Sequence, residues 1–290
     1  MRPIPADGPF GPFAPLDREI VPPPEIVAPP DSRIDVTLLA MLTALVAAAP
    51  SLALLTYFYL RDRYDREPLS ALFVAYLLGL FAMLAAQAMA GILADAVSDE
   101  WLHLGGEPAR LFEAFVLSGL VEEVAKWTML MAAVYHWREF DEPLDGLVYG
   151  VAVALGFATL ENFFYLSSHG VAIAWKRALF AVPAHALFGG AMGYYAGRGK
   201  FPAVSAMRRL HAVWRDRILC LALPVLFHGS YNFALLHGLN WFIWIAITAL
   251  SLGFWAFVLR RVRRAQRASP FRPKTMLPSD FRVSQPPRGV

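Results

Sequence analysis

Four short stretches put ionisable side chains where an apolar chain has least use for them. Glu122-Glu123-Val-Ala-Lys126 interrupts one oily run, and Phe157-Ala-Thr-Leu-Glu161-Asn162 a second. His185 stands in a third, between Pro183 and the Gly189-Gly190 pair, and His228-Gly-Ser-Tyr-Asn232 lies in a fourth. On a helix Lys126 is i+4 from Glu122 and i+3 from Glu123, so it reaches either carboxylate from one face. The adjacent glutamates point about 100° apart, and only one of them need face a given neighbour. His228 and Asn232, four apart, present an imidazole beside a carboxamide. Imidazoles with carboxylates are a ligand set for zinc that leaves a position open for water. Without a metal, the same groups supply a general base and donors for a developing oxyanion. In either case the reagent is water, and water activated inside a bilayer points to peptide-bond hydrolysis. His-Glu-x-x-His and Gly-x-Ser-x-Gly are both absent, which removes the common soluble hydrolase signatures.

The elements that must position these groups are membrane helices. Of 290 residues, 57% are apolar and 17% charged, against about 45–50% and about 25% in soluble proteins. The mean hydropathy is +0.46. The fold class is therefore all-α, a polytopic membrane helix bundle. The single cysteine, Cys220, permits no intrachain disulfide. A net charge of +3 reports topology in such a chain rather than a nucleic-acid partner.

Seven apolar segments approach the ~20 residues that cross a bilayer: Val36–Leu60, Leu69–Leu93, Leu111–Trp137, Leu144–Leu166, Val171–Gly197, Ile218–His237 and Trp241–Leu259. Residues 1–34 carry ten prolines and read as a disordered tail. A transmembrane domain spans 35–259, and 260–290 reads as a basic, disordered cytoplasmic tail. With the N-terminus outside and the C-terminus inside, the cytoplasmic segments hold nineteen Lys/Arg and the external ones six, Arg177 among them. The positive-inside rule expects such an asymmetry. The location implied is a multi-pass protein of the cell (inner) membrane.

Ionisable groups at the centre of a membrane helix cost about 2.5–3.5 kcal/mol each on insertion scales. Each has a plain structural reading. A lone buried histidine can simply bridge two helices, Glu113 can snorkel, and Asp145 can cap the first turn of its helix. His103, His136 and His169 fall in loops or at helix ends, and Trp101, Trp137, Tyr149, Trp175 and Trp241 suit interfacial belts. The joint occurrence of three glutamates and two histidines at matching depth on four helices favours a functional cluster.

At these residues the chain resembles the PrsW family of intramembrane proteases, within the larger CAAX-prenyl-protease-like and bacteriocin-processing superfamily. Four motifs carry the resemblance, in order on successive helices: Glu122-Glu123-x-x-Lys126; Asp145-Gly146-x-x-Tyr149-Gly150 leading into Gly156-Phe157-Ala158-x-x-Glu161-Asn162; His185 followed by Gly189; and His228-x-x-x-Asn232. The second motif often ends in His in this superfamily, where this chain has Glu161. The resemblance implies an endopeptidase that cleaves membrane proteins, with an anti-sigma factor as the family's best-known substrate. It leaves the catalytic type open between metallo and glutamate-dependent.

Read with that resemblance, Glu122 or Glu123 takes a proton from water and returns it to the leaving amine. His185 positions the water, His228 and Asn232 stabilise the oxyanion, Glu161 and Asn162 complete the cavity, and Lys126 neutralises the other carboxylate. No cofactor is required on this reading. Zinc is the alternative, and its expected ligands are Glu123, Glu161, His185 and His228. The expected partners are a single-span membrane-protein substrate and the lipid bilayer. Two rivals use the same residues. One is an ion- or proton-coupled transporter or sensor, although no internal repeat supports it; the other is a scaffold whose polar cluster only holds helices together.

Overall fold

The structure is a computed structural model and describes residues 36–97, 106–202, 206–237 and 241–273. Among them it is entirely helical, with seven rods. These are α1 (Val36–Tyr59), α2 (Leu69–Ala96), α3 (Glu107–Leu111, Phe112–Leu120 and Val121–Ala132 in succession), α4 (Pro143–His169), α5 (Ala174–Lys176, Arg177–Ala181 and Val182–Lys200), α6 (Ala206–Leu236) and α7 (Trp241–Ala268). Six of them are long and apolar enough to cross a membrane. The remaining one, α3, carries Glu113, Glu122, Glu123 and Lys126. It runs unbroken for 26 residues, roughly 35 Å or more at ~1.5 Å per residue.

α4 is the core. From Leu144 to Ala158 every residue is buried, and its lack of a polar stripe fits a helix surrounded by protein. Small residues let its neighbours approach backbone to backbone, as at other membrane helix contacts. Facing α5, a Cβ on Gly150 would run into the carbonyl oxygen of Gly189. Facing α2, one on Gly156 would run into that of Tyr76, and the Tyr76 hydroxyl donates to Thr159 at 2.5 Å. α6 closes on α3 through Gly229, where a Cβ would strike the Phe115 ring. α1, with Leu38, Leu39, Met41, Leu42 and Leu45 exposed, presents an oily surface suited to lipid.

Three sequence expectations change. α7 continues past Leu259 to Ala268 with Val262 and Ala265 buried, because its basic extension is amphipathic and packs one stripe on the bundle. Residues 260–268 are therefore helix and not a disordered tail. The rest of that tail from 274 on, and residues 1–34, lie outside the described residues, as do Trp101 and His103. α6 begins at Ala206, well before Ile218. Tyr149 is no belt residue: it is fully buried, and its hydroxyl donates to Glu67.

Candidate active site

Two of the rods change pitch just before their functional residues. α3 passes through a widened π-helical stretch at Phe112–Leu120, ending just ahead of Glu122, and α5 through another at Arg177–Ala181, just ahead of His185. Such insertions re-aim the following turns and occur often at functional sites. Here they bring α3, α4, α5 and α6 together around one buried cluster.

Lys126 stands at its centre, fully buried. Its Nζ donates to Glu123 Oε1 at 2.7 Å and to His185 Nδ1 at 3.0 Å, and lies 3.6 Å from Glu122 Oε2. It also sits 4.0 Å over the centre of the Phe157 ring, a favourable cation–π placement. An ammonium can only donate, so His185 accepts at Nδ1 and carries its proton on Nε2. That nitrogen donates to Glu161 Oε2 at 2.8 Å. Across the cluster, His228 Nδ1 pairs with Glu123 Oε1 at 2.9 Å. With Glu123 ionised, Nδ1 is the donor, and His228 Nε2 is left as a bare lone pair 3.9 Å from Glu122 Oε2. The two imidazoles stand at right angles with centroids 5.2 Å apart, and Phe188 stacks on His228.

The carboxylates are unequal. Glu123 is sealed between Lys126 and His228, and Glu161 between His185 and Arg177, whose Nη2 donates to it at 2.8 Å. Glu122 is the most exposed of the three side chains, at 19%, and its Oε2 has no hydrogen-bond partner. Glu123 also keeps an unpartnered oxygen, Oε2, but that side chain is completely enclosed. One ligand atom each from Glu122, His185 and His228 lie within 4.8 Å of one another. The trio differs from the expected zinc ligands Glu123, Glu161, His185 and His228, because Glu123 and Glu161 are spent behind the imidazoles. With neutral imidazoles the three glutamates, Lys126 and Arg177 leave the cluster at −1, a deficit that favours a further cation.

Asn162 is buried, accepts from Arg177 Nε and donates to the Ala47 carbonyl at 3.4 Å. It therefore positions Arg177 and does not face the imidazoles. Asn232 lies one turn beyond His228, half buried; among the described contacts none joins it to the cluster. Phe157 and Phe188 line the site, whereas Phe227 stacks on Phe254 and Phe163 packs on Phe164. Sequence reasoning missed Arg177 by counting it among external loop charges. It is buried on α5, and its place two turns before His185, on the same helix face, was the available signal.

A multi-pass membrane enzyme with its polar chemistry inside the helix bundle is the class that this fold and cluster define. The model of the PrsW family intramembrane metalloproteases matches residues 67–260, a stretch that holds the whole cluster. Protease PrsW of Bacillus subtilis (strain 168) is 41% identical over 218 residues, 75% of this chain and 93% of the relative. The Geobacillus kaustophilus (strain HTA426) Protease PrsW is 39% identical over 75% of this chain and 89% of its own length. That of Clostridioides difficile (strain 630) is 33% identical over 70% and 83%. No solved structure matches the chain. The chain belongs to the PrsW family and is an intramembrane protease of the cell membrane; nothing in these matches favours a transporter.

Proposed function

We propose that this protease hydrolyses single-span membrane proteins, anti-sigma-factor-like in kind, with water activated at the face shared by Glu122, His185 and His228, and that these three residues hold a zinc ion. One observation carries the reading. Each imidazole gives one nitrogen to a backing carboxylate, Glu123 for His228 and Glu161 for His185; the other nitrogen of His228 lies 3.9 Å from the unpartnered Glu122 oxygen, and one ligand atom of His185 lies within 4.8 Å of both. Carboxylate-backed histidines of this kind are the usual outer shell of metal sites, since the backing fixes the tautomer and ring angle. Two imidazoles and one carboxylate leave a fourth position for water, the pattern of catalytic zinc.

A zinc ion held by these residues would supply Lewis-acid chemistry, lowering the pKa of a bound water toward ~7 and polarising the scissile carbonyl. The rest falls to the chain. Lys126 releases His185 Nδ1 while keeping Glu123, and its freed N–H becomes a donor for the oxyanion. Neutral His228 has no proton on Nε2 in this arrangement, so it does not fill the oxyanion role that its spacing from Asn232 suggested. Asn232 remains available as a second donor from α6. Phe157 and Phe188 keep bulk water away, which strengthens every charge interaction inside.

A second reading is favoured by one contact: Lys126 Nζ already occupies the His185 nitrogen that a metal would need. On that reading no metal enters, and Glu122 itself takes the proton from water and returns it to the leaving amine. Glu122 is needed in both, as a metal ligand in the first and as the base in the second. Elemental analysis of purified protein, alongside cleavage of a single-span substrate, separates them. The first reading expects about one zinc per chain, lost in His228→Ala, with activity abolished by chelator and restored by zinc. Chelator-resistant cleavage by zinc-free protein would transfer the assignment to Glu122 alone.

A further inference from the structure

The other end of the bundle holds a second buried cluster of acids, which the protease site does not use. Asp62, in the turn after α1, and Glu142 and Asp145, at the start of α4, each bring one oxygen within 4.8 Å of the others. Asp62 and Glu142 are completely buried. The backbone N–H groups of Tyr64 and Asp65 face the Asp62 carboxylate, but neither of its oxygens closes a full hydrogen bond. Glu142 faces the first-turn N–H of Asp145, as half of a capping box, and the Ser269 hydroxyl, yet neither of its oxygens accepts a well-formed hydrogen bond. Asp145 Oδ2 accepts from the N–H groups of Asp141 at 2.8 Å and Glu142 at 2.6 Å, while its Oδ1 is unpartnered.

Nearby cations are turned elsewhere. Lys200 Nζ donates to the backbone carbonyls of Tyr135 and Phe140, at 2.7 Å each. Arg66 Nε donates to the backbone oxygen of Asp62 and not to its carboxylate. Glu67, also buried, joins from the same loop, accepts from Tyr149 and faces the Asp145 carboxyl, so that a fourth acid adds to the cluster. Buried carboxylates with no cation and no well-formed hydrogen bond are what a protein avoids unless they are paired or coordinate a metal.

We propose that Asp62, Glu142 and Asp145 form a binding site for a hard divalent cation, Mg²⁺, Ca²⁺ or Mn²⁺, which clamps the α1–α2 turn to the start of α4. All-oxygen, carboxylate-rich donors select such ions over zinc. The site is distinct from the protease cluster: Asp145 and Glu161 are sixteen residues apart on one helix, about 24 Å at 1.5 Å per residue. The clamp also reaches α7, since Gln266 Nε2 donates to the carbonyl of Arg61, next to Asp62. Its consequence is mechanical, because it pins one end of the core helix whose other end presents Glu161.

The test uses full-length protein in detergent. Elemental analysis is made as purified, and thermal unfolding is then followed after chelation and re-addition of millimolar Mg²⁺, Ca²⁺, Mn²⁺ or Zn²⁺ in turn. We expect either one equivalent of a hard cation per chain as purified, or a saturable rise in Tm of about 5–10 °C at a hundredfold excess over Kd. Asp62→Asn and Glu142→Gln should each abolish the response and, by removing an uncompensated charge, raise the Tm of chelated protein above that of chelated wild type. Glu122→Gln should respond to Mg²⁺, Ca²⁺ or Mn²⁺ like wild type, which separates this site from the catalytic one. Neither co-purified hard cation nor any Tm response would overturn the proposal, as would an unchanged response in both acid variants or a response to zinc alone.

Discussion

Replacing Glu123 by Gln keeps its shape and removes its charge, and the structure says where that loss falls. Glu123 is fully buried and accepts from both Lys126 Nζ at 2.7 Å and His228 Nδ1 at 2.9 Å. Without it the nearest carboxylate left to the buried ammonium is Glu122, at 3.6 Å, and its one remaining hydrogen bond is to the neutral His185 nitrogen at 3.0 Å. Removing one partner of a buried pair costs about 3–5 kcal/mol, because the other charge stays buried and uncompensated. At roughly 2–4 °C per kcal/mol for chains approaching this size, that predicts a Tm fall of about 6–20 °C. Cleavage should fall by ~10–100-fold or more from misorientation of His228 alone. Glu122→Gln should do the reverse, abolishing cleavage while costing little stability, since its Oε2 has no hydrogen bond to lose. The decisive variant combines Glu123→Gln with Lys126→Met. Deleting both charges should recover most of the lost Tm without recovering activity. Thermal unfolding in detergent and cleavage of a single-span reporter read both quantities. Equal Tm losses in the two single variants, or no recovery in the double, would refute the assignment of Glu123 as the lysine's buried partner.

Gly150→Ala drives a Cβ into the Gly189 carbonyl oxygen, and overpacking of that kind costs about 1–3 kcal/mol; a wild-type Tm would show that α4 and α5 are not in backbone contact. Reporter fusions test the orientation proposed from the charge count: one after Val290 should read cytoplasmic and one between Asp95 and Pro108 external, and matching readings would remove the odd number of spans. In metal-stripped protein, stability should fall as pH rises from about 4.5 to 7. Burial pushes Asp62 up to about 6 and Glu67 and Glu142 up to about 7, so the folded state holds protons that the unfolded chain releases near ordinary carboxylate values. A Tm constant or rising with pH over that window would show these acids to be charged and compensated in the folded protein.

Much of the site is legible in the sequence because the background is so apolar. Glu122, Glu123, Lys126, Glu161, His185 and His228 stand out as costs that a membrane helix does not carry without a partner, and helical spacing alone allows Lys126 to pair with either glutamate. The helices are legible for the same reason: a run of some twenty apolar residues has few other fates in a bilayer, and the rods begin and end near the predicted limits wherever apolarity sets the boundary. α6 and α7 overran those limits because their polar ends are amphipathic, and amphipathicity declares itself only once there is a bundle to lie on.

The tertiary structure alone decided which carboxylate faces which cation. Glu122 and Glu123 are chemically identical neighbours; the close approach of α6 at Gly229 turns Glu123 toward His228 and leaves Glu122 with its free oxygen. Arg177 read as an ordinary charge at a helix end until the contact between α4 and α5 enclosed it with Glu161 and Asn162. Nothing in the sequence around Asp62, Glu67 and Glu142 sets them apart from ordinary loop charges, and Tyr149 reads as a ring at the lipid headgroups. They are buried because the α1–α2 turn folds onto the start of a helix some eighty residues further along the chain. Hydrophobic periodicity is a local property, and the burial of a loop carboxylate depends on a segment far away in sequence, so no window of residues around Asp62 records it.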